Sequence, residues 1–219
     1  MTVKKAAGVS EQITIKAPNF KVVELTIVGT APFVSNNFSR EAEEMMKADQ
    51  AAGAKAAQGK AKKEPKDFDK GFTGRRHISE EGWDGIAATA IRAAMIRACS
   101  MVGVEMTRAK QCFFVLPDGF EVGRATPLVK ITKGVPERFD AYVRNSNGSA
   151  DIRARARWAP GWEAKIRVRF DADMFDAAMV ANLIQRAGIS VGVGAGRPFS
   201  TMSAGCGWGT FEIKDSKSV

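Results

Sequence analysis

Between Asp151 and Phe170 apolar and basic residues alternate with a period of two, and no other pattern limits the fold of the chain as much. With Ala159-Pro160-Gly161 taken as a three-residue loop, Ile152, Ala154, Ala156, Trp158, Trp162, Ala164, Ile166, Val168 and Phe170 fall on one face. Arg153, Arg155, Arg157, Lys165, Arg167 and Arg169 fall on the other, with only Asp151 and Glu163 to offset them. Period two means strands with one buried side, and two matched runs across a short loop read as a β-hairpin. Its apolar side requires a covering layer.

The rest of the chain supplies that layer. Val22–Val28 alternates Val23, Leu25 and Ile27 with Glu24, Thr26 and Val28, a half-buried strand ending near Gly29 and Pro32. Ile86–Val102 repeats small and apolar residues at helical spacing (Ile91, Ala94, Met95, Ala98, Cys99), with Asp84 as a candidate cap and Gly103 as a stop. Gln111–Leu116 is a strand, and a further extended piece follows near Leu128–Ile131. Asp173 caps a second helix, Met174–Ala187, whose buried row is Phe175, Met179, Leu183 and Ala187; a last strand runs from Trp208 to Lys214. Leaving out the extra pieces, the order is βαββαβ, the ferredoxin-like α+β arrangement, with helices on one face of an antiparallel sheet and the other face open. The expectation is one domain over residues 1–219. Residues 40–76, rich in Ala, Lys, Gln and Gly and poor in large apolar side chains, read as a mobile basic insertion after the first strand.

Charge narrows the function. Lys and Arg number 33 against 24 Asp and Glu, a formal charge of +9, which favours a polyanionic partner. Six like charges on one strand face repel one another, and a phosphate backbone is a ready counter-charge; a solvated, solubilising face is the plainer reading. The insertion, with Lys62, Lys63, Arg75 and Arg76, is either a basic arm over a bound strand or a solvated loop. The segment Gly192-Val-Gly-Ala-Gly-Arg-Pro-Phe brings Gly194 and Gly196 beside Arg197 and Phe199. These glycines fit close backbone approach to a phosphate, with Phe199 as a stacking residue, or tight packing of loop on sheet. The single histidine, His77, excludes sites with several His ligands. The odd, widely spaced Cys99, Cys112 and Cys206 fit neither a zinc site nor a disulfide framework. No metal or cofactor is expected. The most apolar stretch is interrupted by Arg92 and Arg97, so no membrane span is expected, and a cytoplasmic protein is the natural reading.

The glycine segment, followed by Ala204-Gly-Cys-Gly-Trp-Gly-Thr-Phe-Glu-Ile, resembles the C-terminal glycine loop and last strand of repeat-associated CRISPR proteins (the RAMP superfamily). Gly85-Ile-Ala-Ala-Thr-Ala-Ile-Arg-Ala-Ala-Met-Ile-Arg-Ala resembles the first helix of the backbone subunit of Cascade-type effectors. A reduced phage- or plasmid-borne relative fits the same residues. The resemblance, over roughly 22–30 and 77–213, implies a modified ferredoxin-like fold that polymerises along a single-stranded guide RNA, with Arg92, Arg197 and the basic arm as contacts. It also implies a rival. Processing nucleases of the superfamily use a histidine near the first helix as general base, which would make His77, beside Arg75 and Arg76, catalytic in a metal-independent endoribonuclease. The favoured expectation is a non-catalytic protein binding single-stranded RNA, or DNA, as a homo-oligomer or filament. A viral structural or assembly protein is the third reading.

Overall fold

Phe20–Gly29 (β1) is the strand around which the larger sheet is built; the computed structural model of the chain describes residues 15–52, 65–144, 148–200 and 205–214. β1 pairs antiparallel with Glu163–Asp171 (β9) on one side and with Phe211–Ile213 (β10) on the other. Beyond β9 lie Phe113–Leu116 (β4) and Pro127–Lys133 (β6), each antiparallel to it, at opposite ends of the strand. Gly85–Ala87 (β3) and Gly119–Phe120 (β5) pair with β6 and complete seven strands. Phe33–Ser35 (β2), Ala150–Trp158 (β8) and Glu137–Arg144 (β7) form a second, three-stranded antiparallel sheet. Five α-helices accompany the sheets among the described residues: Arg40–Ala52 (α1), Phe68–Gly74 (α2), Ala88–Cys99 (α3), Met106–Cys112 (α4) and Ala177–Arg186 (α5). The protein is therefore α+β with antiparallel sheets.

The hairpin expected from Asp151–Phe170 does not form. β8 and β9 belong to different sheets. The apolar row is buried apart from its first member, Ile152, but Trp158 and Trp162 serve two inner faces that meet at a corner. The corner is fastened to the end of β1, where the Gly29 amide donates to the Trp162 carbonyl at 2.8 Å and the Gly161 amide to the Gly29 carbonyl at 2.8 Å. Phe33 lies 5.2 Å from the Trp158 ring and 5.6 Å from the Trp162 ring, centroid to centroid. Both sheets thus share one core, which a single hairpin could not span.

α3 buries Ala88, Ile91, Ala94, Met95, Ile96, Ala98 and Cys99 against the large sheet, close to the expected stripe. Its start differs from expectation. Ala87 occupies the N-cap with no side-chain hydrogen bond, because Gly85–Ala87 pairs with β6 and the helix begins only at Ala88. Asp84, ahead of that strand, is bonded through both carboxylate oxygens to Arg76. α5 is capped by Asp176, whose carboxylate accepts from the Met179 amide at 2.7 Å, while Asp173 accepts from Asn19. Val180, Leu183 and Ile184 are buried, whereas Met179, placed in the expected buried row, is exposed.

Within the span read as a basic insertion, residues 40–52 and 68–74 are helical. α2 forms because Asp67 accepts hydrogen bonds from the Asp69 and Lys70 amides at its N-terminus. It lies on β8, with Gly71 against Ala154. Lys62 and Lys63 lie outside the described residues. No helix among the described residues is long and apolar enough to cross a membrane.

Candidate nucleic-acid interface

The split between sheets divides the six cations. Arg153, Arg155 and Arg157 lie on β8; Lys165, Arg167 and Arg169 lie on β9. The expected lack of local acid is also corrected, because neighbouring strands supply it. Arg157 pairs with Glu137 at 2.7 Å and lies over the Phe139 ring; Lys165 pairs with Glu24 at 2.8 Å; Arg167 pairs with Asp118 at 3.0 Å. Such pairs, largely exposed, contribute little each but remove the mutual repulsion.

Among the described residues Arg75 and Arg155 have no carboxylate partner. Arg75 follows α2 and is pinned through its backbone: the Ser35 hydroxyl donates to its carbonyl at 2.7 Å and the Asn37 amide at 3.2 Å. Its guanidinium donates to the Asn37 carbonyl at 3.0 Å. Burial, and then the charge of Arg153, pull its pKa below the usual arginine value. Arg155 is shifted the same way by burial, by Arg153 and by Arg75; Cys206 acts in the opposite sense. The Arg155 Nε is buried with no hydrogen-bond partner. Arg153 pairs with Asp151 at 3.2 Å, but that carboxylate also holds Lys66. Arg75 and Arg153 border a cavity of about 350 Å3 together with Lys66, Lys70 and the carboxylates Asp67 and Asp151. Arg153 thus lies within electrostatic reach of both Arg75 and Arg155 and destabilises the charge of each, and Arg75 does the same to Arg155.

A second cleft lies between the start of α3 and the glycine loop. His77, Ser35, Asn36, Ala87, Gly194 and Arg197 line a cavity of about 240 Å3. Ala90, Gly194 and Arg197 also border a neighbouring cavity of about 210 Å3, where Arg97 lies 4.0 Å over the Phe199 ring. His77, Gly194 and Arg197 are therefore brought to one cleft, and Phe199 lines its neighbour. The His77 Nδ1 is 3.2 Å from Oε2 of Glu121, a carboxylate only 5% exposed. Asn37 Nδ2 and Arg124 donate to the other oxygen of Glu121, and Arg124 continues to Glu43.

Several expected contacts are engaged elsewhere. Arg76 makes two hydrogen bonds to Asp84 at 2.7 and 2.8 Å, which raises its pKa. Arg92 donates to the carbonyls of Phe113 and Lys110 and lies over the Phe114 ring. The glycines answer to packing. A Cβ on Gly194 (φ +78°) would stand 2.6 Å from the Val34 carbonyl oxygen and 2.7 Å from the Phe33 ring. The Gly196 carbonyl accepts from the Cys206 and Trp208 amides, which folds the loop on itself. Trp158 and Trp162 are core, as expected, whereas Trp208 is half-buried and edge-on to Phe139. Cys99 and Cys112 are buried and Cys206 is exposed, all as free thiols. Among the described residues no group of three or more His, Cys, Asp or Glu is placed to hold a metal ion.

Glu121, Phe20 and Phe114 carry geometry that sequence reasoning missed. Glu121 sits in an unremarkable turn sequence with no pattern to single it out. The two phenylalanines meet only through strand pairing. Compared with models of known families and with curated proteins, the chain matches none.

Proposed function

We propose that the chain is a non-catalytic protein that binds single-stranded nucleic acid, with RNA favoured, through the phosphate backbone, and that copies assemble along the strand. The observation that carries this reading is the group Arg75, Arg153 and Arg155. Folding holds three cations together, half-buried, with one guanidinium nitrogen unpartnered, at a cost that an anionic ligand would relieve. The +9 charge of the whole chain points the same way. The fold we assign is ferredoxin-like. Its support is that β10, β1, β9 and β4 lie side by side in that order, each antiparallel to its neighbour, with α3 between β1 and β4 in the chain and α5 between β9 and β10. On this reading β3, β5 and β6 and the three-stranded sheet are additions to a βαββαβ core. The likeness to backbone subunits of Cascade-type effectors belongs to the same proposal, as does a phage- or plasmid-borne relative.

Fluorescence anisotropy with a labelled 30-mer, as single-stranded RNA, single-stranded DNA and duplex, tests the reading at two salt concentrations. The expected result is binding that prefers single strands and weakens steeply as salt rises, since each neutralised phosphate releases counterions. Flat titrations on all three would overturn it and favour the assembly protein.

The His77–Glu121 contact supports a second reading, metal-independent endoribonuclease activity. A buried carboxylate fixes one ring nitrogen of a histidine that borders a cleft with Arg197, an arrangement suited to proton transfer at a phosphodiester. Incubation of the RNA 30-mer in excess chelator reads it directly. Cleavage lost in His77→Ala with binding retained would establish it, and an intact strand with wild type would remove it.

A further inference from the structure

The face of the large sheet turned away from α3 and α5 carries an aromatic and cationic patch. Phe20 and Val22 on β1 are 41% and 55% exposed. The Phe114 ring, on β4, stands edge-on to Phe20 with centroids 6.1 Å apart. Arg169 joins them: it is directly opposite Phe114 and Val22 in the strand register, and its guanidinium lies 4.8 Å from the Phe114 centroid and 5.4 Å from that of Phe20. Arg92 reaches Phe114 from the sheet edge at 5.1 Å. Of the carboxylates on this side of the sheet, Glu24 pairs with Lys165, Asp118 with Arg167, and Glu163 with Lys133 and Lys214. Asp171, opposite Phe20, accepts from the Asp173 amide, and Glu212 lies on the far edge strand.

We infer that this patch is a stacking platform for unpaired bases of the nucleic acid whose phosphates meet the arginine group. The inference rests on the nucleic-acid reading above and adds what that reading lacks, a place for the bases. Phenylalanine rings and a planar guanidinium offer π-faces and charge to any base, so the platform discriminates single strands, whose bases are free to turn out, from duplexes, whose bases are stacked internally. At the patch Arg169 and Arg92 outnumber the single carboxylate of Asp171, which suits a polyanion and disfavours an acid-free apolar segment of protein.

The test compares two single-stranded 12-mers of equal charge, one with normal bases and a central 2-aminopurine, the other abasic throughout. Wild type should bind the base-bearing strand about tenfold more tightly, with quenching of 2-aminopurine. Phe20→Leu, at an exposed position, and the Phe20→Leu/Phe114→Leu double variant should lose that preference and the quenching while keeping affinity for the abasic strand. Leucine keeps the apolar bulk, and Phe20→Leu alone serves if the double variant fails to fold. Equal binding of both strands by wild type, without quenching, overturns the platform and leaves the phosphate-binding reading standing. Failure of both strands to bind overturns both.

Discussion

Arg155→Glu is expected to make the free protein more stable while reducing affinity for single-stranded nucleic acid about 100-fold. The two effects have one cause. Arg155 is held near Arg75 and Arg153, its pKa is pulled down first by burial and then by those charges, and its Nε has no partner. A carboxylate in its place would face two guanidinium groups, so repulsion becomes attraction. An unsatisfied buried donor disappears as well, worth about 1 kcal/mol in a half-buried site, or a rise of ~2–4 °C in Tm for a chain of this size. The same carboxylate would repel phosphate. Arg155→Met should fall between, with a smaller gain in Tm and a loss of affinity that lessens at high salt. Thermal unfolding without ligand and anisotropy at low salt read the two arms. A variant that lost stability and kept its affinity would show that the arginine group is structural and not a ligand site.

Trp162→Ala should be the most damaging single change in the core. The indole is fully buried where β8 gives way to β9, touches Phe33 and Phe211, and donates to the Ala31 carbonyl at 3.0 Å. It also lies so close to Gly29 that a Cβ there would overlap the ring at 1.9 Å. Truncation leaves a large cavity at the junction of two sheets, and the expected loss is about 3–5 kcal/mol. Trp162→Phe keeps most of the ring and should lose much less, so it remains measurable if the alanine variant does not fold. Urea unfolding followed by circular dichroism gives both values. A loss below about 1 kcal/mol for Trp162→Ala would mean that the sheets do not depend on this corner.

Period and composition made the parts of the fold legible but not their partners. β1, α3, β4, β9, α5 and β10 lie close to where alternation and helical spacing placed them, because burial of one face is a local property of sequence. Pairing is not local. The run from Asp151 to Phe170 fixes which side of each strand is buried, yet the same alternation serves a hairpin and a corner between sheets equally well. The choice was made by Gly29 and Phe33, far away in the chain. Counter-charges were hidden for the same reason, since Glu24, Asp118 and Glu137 reach β8 and β9 only through neighbouring strands and turns. At the ends of helices the outcome was decided locally: Asp84 and Asp173 both fit the capping pattern, but Gly85–Ala87 pairs as β3 before α3 begins and Asp176 caps α5. His77 and Arg197 were legible as chemistry, but the carboxylate behind His77 was not.

The glycine loop has an evolutionary consequence. Gly194, Gly196, Gly205 and Gly209 all take left-handed backbone angles, and each has backbone or ring atoms where a side chain would start. Drift at these positions is closed off by sterics alone, whatever the protein binds. In an alignment of relatives these glycines should stand as fixed columns even in lineages that have exchanged one ligand for another. The columns that follow the ligand should be Arg75, Arg155, Phe20 and Phe114, where the backbone tolerates many residues and only a bound partner gives a reason to keep these.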